Sequence, residues 1–159
     1  MSSTTVPASL ALFRSTSRYP LGKQLFSRAL CLKAPYFSSI RPLVEALEPG
    51  RCEVHMRKRR AVTNHIGTVH AIAMCNMAEL AGGLVAEVSV PVTHRWIPKG
   101  MTVEYLKKAE TDLVAVGRPA GALDLSSAGE YPVQVEVTDT AGDTVFRARI
   151  TMWVSPKKG

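Results

Sequence analysis

The segment His70–Glu87, HAIAMCNMAELAGGLVAE, constrains the fold more than any other stretch of this chain. Ala, Met and Leu dominate it, and all three are strong helix formers. A helix built from it is apolar on nearly every side, so it has to be buried rather than half-exposed. Thr68 stands just ahead as a candidate N-cap. The strand signals lie on either side. Downstream, Met101–Lys107, Asp112–Val116, Tyr131–Thr138 and Val145–Val154 alternate apolar and polar residues with the period of two that marks a half-buried strand. Val133, Val135 and Val137 share one face. Phe146, Ala148, Ile150 and Met152 share another, and Ala141-Gly142-Asp143 is a turn between them. Upstream, Cys52–Val62 alternates, and Glu48-Pro49-Gly50 is a turn signal before it, so residues 42–62 read as a hairpin. An antiparallel sheet needs its apolar face covered, and only 70–87 is apolar enough to cover it. The predicted fold is therefore α+β: one strongly curved antiparallel β-sheet wrapped around a single long buried helix.

Charge separates the N-terminus from the rest. The net charge is +7. Residues 1–44 carry Arg14, Arg18, Lys23, Arg28, Lys33 and Arg41 and no acidic residue, whereas residues 61–159 are near neutral. Such a segment has three readings: an organellar transit peptide, a basic segment resting on an anionic surface, or a folded helical lead-in. Leu21, Leu25, Phe26, Ala29 and Leu32 form an apolar helical stripe, which favours a lead-in packed on its own domain. The expected organisation is a helical lead-in over 1–40 and one domain over 41–156. No apolar run approaches the ~20 residues of a membrane span. Three cysteines at no metal-ligand spacing argue against a disulfide framework or zinc ribbon. They fit a reducing compartment, hence a cytoplasmic location, or an organellar one if the acid-free N-terminus is a transit peptide. The run Arg57-Lys58-Arg59-Arg60 reads as a solvated face or an anion-binding patch. No motif accompanies it that would make it a nucleic-acid site. No metal or cofactor is expected.

Glu79 is the one charged residue between the ends of the 70–87 helix, among Met74, Met77, Leu80 and Leu84. Two readings stand side by side: a carboxylate of raised pKa facing a cleft and suited to act as base or nucleophile, or a structural carboxylate satisfied by buried donors. Gly82-Gly83 weakens the helix, which suggests that a second helix or a ligand approaches the backbone there. The preceding turn holds Asn64, His65, Gly67 and His70. Gly67 permits a tight bend, and the free N–H groups at the helix start favour an anion or a developing oxyanion.

Thr63-Asn64-His65-Ile66-Gly67-Thr68-Val69-His70, with Glu79 fifteen positions after Asn64, resembles the signature of the hotdog-fold acyl-CoA thioesterases. The branch it is most similar to is that of the phenylacetate-pathway-like thioesterases and their uncharacterised bacterial relatives. The family's His-Gly-Gly reads His70-Ala71-Ile72 here. The resemblance implies a hotdog fold, a homodimer or dimer of dimers with active sites between subunits, and hydrolysis of an acyl-CoA or acyl-carrier thioester. It implies Glu79 as the catalytic carboxylate, the Ala71 N–H as oxyanion donor beside His70, and Asn64 holding the attacking water or orienting the thioester. Gly67, Lys99, Lys107 and Lys108 are candidate substrate-binding residues, the lysines with Arg57–Arg60 for phosphate. The alternatives are a hotdog protein that binds an acyl thioester without turning it over, and an interaction module using the basic N-terminus.

Overall fold

The structure is a computed structural model, and it describes residues 5–158. Two helices lead in, α1 (Ala8–Thr16) and α2 (Gly22–Lys33), followed by a 3-10 helix at Pro35–Ile40. Then come β1 (Leu43–Glu48), β2 (Arg51–Met56), a 3-10 turn at Arg60–Val62, α3 (Ala71–Ser89), β3 (His94–Tyr105), β4 (Leu113–Pro119), β5 (Gly129–Thr138) and β6 (Thr144–Pro156). The six strands form one antiparallel sheet in the order β1-β2-β4-β5-β6-β3. Its apolar face covers α3, the arrangement expected from the sequence.

Alternation decides which residues face the helix. Val54 of β2, Ala115 of β4, Val133 and Val135 of β5 and Ile150 and Met152 of β6 are buried, as are Met77, Ala78, Ala81 and Val85 of α3. Helix and sheet meet at glycines. A Cβ on Gly117 of β4 would stand 2.9 Å from the Ala81 carbonyl oxygen, and one on Gly82 would stand 2.7 Å from Ile150 Cδ1. A Cβ on Gly83 would meet the Trp96 indole at 3.2 Å. The sequence suggested a second helix or a ligand against Gly82-Gly83; the backbone is instead approached by the chain's own sheet and by Trp96. Against the expectation that no apolar run approaches a membrane span, the helix is, over 19 residues, long and apolar enough by composition to cross a membrane, but the sheet buries it as the core of the fold.

Several local expectations are corrected. The helix is capped by His70, not by Thr68, whose hydroxyl is turned to Asn64. Strand β2 stops at Met56 because the Lys58 N–H leaves the ladder for Asp112 Oδ1, at 2.8 Å. Strand β3 begins at His94 and reaches Met101 through an irregularity between Pro98 and Gly100, where proline has no N–H to donate. It pairs with β6 and not with its sequence neighbour β4, since alternation specifies a face but not a neighbour. The leucine stripe of the lead-in faces out: Leu21, Leu25 and Leu32 are exposed. What docks α2 is Phe26, edge-on to Phe13 of α1 at 5.1 Å, together with Ser27 Oγ, which accepts the Val44 N–H. Leu10, Phe13 and Phe26 belong to the same buried cluster as the sheet and α3.

Candidate functional site

The loop before α3 is held by one side chain. Asn64 Oδ1 accepts the N–H groups of Ile66 and Thr68, each at 3.1 Å, and its Nδ2 donates to Thr68 Oγ1 at 2.8 Å. Gly67 closes the turn at φ +80°, a conformation that glycine adopts without strain, and its N–H bonds the Asn64 carbonyl. The Val69 N–H then bonds the Ala109 carbonyl and the His70 N–H the Val62 carbonyl, both at 2.8 Å, which fixes where the helix begins. His65 and Ile66 at the loop tip are exposed.

The start of α3 leaves one donor over. His70 Nδ1 accepts the Ile72 N–H at 3.0 Å, so the neutral ring carries its proton on Nε2. The His70 carbonyl takes the N–H groups of Ala73 and Met74. Among the described residues the Ala71 N–H is the only one of the helix's first four with no acceptor. It lies at the positive end of the helix dipole, where a developing negative charge is stabilised.

One strip of α3 is not covered by the sheet. Ile72, Cys75, Glu79 and Gly83 succeed one another at helical spacing, and Ile72 and Glu79 are exposed. The methionines and leucines that surround Glu79 in the sequence point into the core, so the carboxylate looks outward rather than being enclosed by them. Strand β3 runs alongside this strip. Tyr105 OH lies 3.5 Å from Cys75 Sγ, and that contact, with some burial, raises the Tyr105 pKa. At the other end the Trp96 indole covers Gly83 and donates to Glu87 Oε2 at 2.8 Å. Glu79 therefore sits between these two contacts, beside a strand paired on one side only. Beside the strip, three residues before Glu79, Asn76 is buried and ties α3 to the 3-10 helix by donating to Ser39 Oγ at 3.0 Å. Nothing in the sequence distinguishes Tyr105 and Trp96 from ordinary strand residues, and Asn76 is legible there only as a polar helical neighbour of Glu79.

The expected groups are not all brought together within one chain. Ala71 and Glu79 are eight residues apart, which places them about 12 Å apart along the helix axis. Lys99 lies at the β3 irregularity, bonded to Glu130 at 2.8 Å and over the Trp153 ring at 5.2 Å. Lys107 is engaged by Asp143 at 2.6 Å and Asp139 at 3.1 Å, and these hydrogen bonds raise its pKa. Lys108 is exposed, next to the Ala109 carbonyl that anchors Val69. Arg57, Lys58 and Arg59 face a different cavity, beside α2. Among the described residues no three His, Cys, Asp or Glu side chains converge as a metal site would require.

Residues 22–154 match the family model of a domain of unknown function, DUF4442. Solved structures share the architecture. A crystal structure from a genomics project, APC5556, is 46% identical, with a TM-score of 0.81 over 94% of this chain and 98% of that one. A Pseudomonas aeruginosa protein of unknown function, described as a probable thioesterase, is 26% identical with a TM-score of 0.72, covering 82% of this chain and 94% of that one. A thioesterase from Haemophilus influenzae is 15% identical with a TM-score of 0.71, covering 80% of this chain and 87% of that one. No curated protein sequence matches this chain. The fold is that of the hotdog thioesterases.

Proposed function

This chain belongs to the DUF4442 family, and we propose that it hydrolyses an acyl thioester, an acyl-CoA or an acyl-carrier thioester, to the free acid and thiol. One observation carries the reading: an outward-facing carboxylate, Glu79, lies on the uncovered strip of α3, and the same helix offers an unengaged N–H at Ala71. The names borne by the similar structures support a thioester as substrate.

Glu79 removes a proton from water as the oxygen attacks the thioester carbonyl carbon. The carbonyl oxygen becomes an oxyanion and is stabilised by the Ala71 N–H. Collapse of the tetrahedral intermediate breaks the C–S bond, and the departing thiolate takes the proton from Glu79. Direct attack by Glu79 is the other course; it gives an acyl anhydride that water then cleaves. A general base contributes roughly 10²–10⁴-fold and an oxyanion donor about 10²–10³-fold. Asn64 and His70 act by positioning, the first by holding the turn and the second by capping the helix, so that the Ala71 N–H is left without an acceptor at the helix start. Of the three candidate lysines, Lys108 alone has no carboxylate partner among the described residues, which leaves it free for an anionic group of the substrate.

A separation of about 12 Å along the helix is too long for one carbonyl to be reached by both Glu79 and Ala71 of the same chain. The working site is therefore shared, with Glu79 from one protomer and the Ala71 N–H from the other. The 12-residue strand β3, pairing only with β6, is the edge on which a second copy adds. A copy seated there also covers the Cys75–Glu79–Gly83 strip. Light scattering should find a dimer or a dimer of dimers at low micromolar concentration; a stable folded monomer would remove the shared site.

The test is Glu79→Gln, assayed on a panel of acyl-CoAs by release of free thiol. The side chain is exposed in the single chain, so fold and assembly should survive. The expected result is a fall in kcat of at least ~10²-fold with KM little changed. Hydrolysis at close to the parent rate would make Glu79 a structural residue. A parent protein that binds acyl-CoA without releasing thiol would instead be a binding protein, and Ile72, 55% exposed where the thioesterase signature that this chain resembles has glycine, would be the residue to suspect.

A further inference from the structure

We propose that the groove between α2 and the outer face of β1, β2 and β4 binds a phosphate-bearing ligand of nucleotide size. The groove has a volume of about 980 Å³, and no residue of α3 lines it. Its floor is the side of the sheet turned away from α3. Leu43 pairs with His55 and His55 with Val114, so these three lie in one row across the strands. Five cationic residues line it: Arg28 from α2, Arg41 after the 3-10 helix, and Arg57, Lys58 and Arg59 where the chain leaves β2.

None of the salt bridges among the described residues includes a side chain of the five. The two carboxylates in the groove are engaged by donors other than these five side chains. Asp112 accepts the Lys58 backbone N–H. Asp139 binds Lys107 and the N–H groups of Ala141 and Asp143, and with its side chain 7% exposed it is turned into its own hairpin. Like charges gathered around one concavity repel one another and focus a positive potential into it. The backbone helps to hold them there. Arg41 sits at φ +47°, a conformation costly for any residue with a Cβ, and the Arg59 guanidinium is anchored on the Ser39 carbonyl.

Guanidinium groups match phosphate through paired hydrogen bonds, and the floor of Leu43, Val114 and the His55 ring offers apolar and aromatic surface to a flat base or ring. A nucleoside phosphate offers both parts. Its source is either the nucleotide end of a CoA thioester or a free nucleotide, and a binding measurement separates them without any turnover. The inference does not rest on the thioesterase reading: Glu79→Gln should keep full binding.

The experiment is calorimetric titration of the full chain with adenosine bisphosphate and, separately, with CoA. Arg57→Gln and Arg41→Gln should each weaken binding about tenfold or more, the usual loss for a hydrogen bond to a charged group. Arg118→Gln, the same charge change at the far end of β4 and outside the groove, should leave it intact. Arg57 is exposed and holds no side-chain partner among the described residues, so its variant stays informative even if Arg41→Gln disturbs the fold. Equal affinity for the two ligands identifies the nucleotide alone as the occupant; tighter CoA binding identifies the thioester's carrier arm as part of it. Either result supports the groove if the arginine variants lose it. Absence of binding by both ligands, or an equal loss in Arg118→Gln, overturns the proposal.

Discussion

Gly117→Ala tests how closely the helix is seated on the sheet. The added Cβ would stand 2.9 Å from the Ala81 carbonyl oxygen and 3.1 Å from its carbon, where ordinary contact begins near 3.4 Å. The shortfall is about half an ångström. Both partners are backbone, in a strand paired on each side and in a buried helix, so neither yields by rotating a side chain. Overpacking of this kind costs about 1–3 kcal/mol, and the rigid contact puts it near the upper end. Removing a glycine from the unfolded chain returns about 0.4–1 kcal/mol. The net expectation is a loss of about 2 kcal/mol, or a fall in Tm of about 4–8 °C for a chain of this length. Urea denaturation followed by far-UV circular dichroism measures it, with Gly82→Ala as the comparison. There the clash at 2.7 Å is with Ile150 Cδ1, the end of a flexible side chain, and alanine also favours the helix. Gly82→Ala should therefore lose less than Gly117→Ala. A Gly117→Ala protein as stable as the parent, or a reversed order of the two variants, would refute the close-seating argument. Because Ala81 lies two residues beyond Glu79, an outward shift of the helix should also lower activity beyond what the stability loss explains.

Other consequences are local. His70→Ala removes the cap from Ile72 N–H and should cost about 1 kcal/mol, while His70→Asn, which can also cap, should recover most of it; urea midpoints compare the two. Burial would raise the Glu53 pKa, but hydrogen bonds from His55 and Arg51 outweigh it and the pKa is lowered. The folded form therefore binds its proton less tightly than the unfolded chain. The stabilisation is complete above the unfolded value of about 4.3 and is lost as pH falls through the lower folded value. Stability of the parent should drop more steeply than that of Glu53→Gln as pH falls from about 5 to about 3, through the unfolded pKa and toward the lower folded one, and parallel curves would contradict this.

Much of the fold is legible because burial leaves a one-dimensional trace. A helix apolar on all sides must be a core element, and four segments of period two must form the sheet around it. Only contacts distant in sequence settle what lies between. Alternation assigns Val133, Val135 and Val137 to one face, but says nothing of β3 crossing to pair with β6. The leucine stripe of α2 has the period of a buried face, yet Phe13 and the Val44 N–H dock the helix through Phe26 and Ser27 and turn the leucines outward.

The candidate site divides in the same way. The spacing from Asn64 to Glu79 and the turn chemistry of Asn64 and Gly67 are properties of the chain itself, because they act within a few residues and need no partner element. The direction Glu79 faces, the unengaged Ala71 N–H and the groove cations without carboxylate partners belong to the tertiary structure. Each depends on which side of a helix or strand another element happens to cover, and that is decided by packing among residues far apart in the sequence.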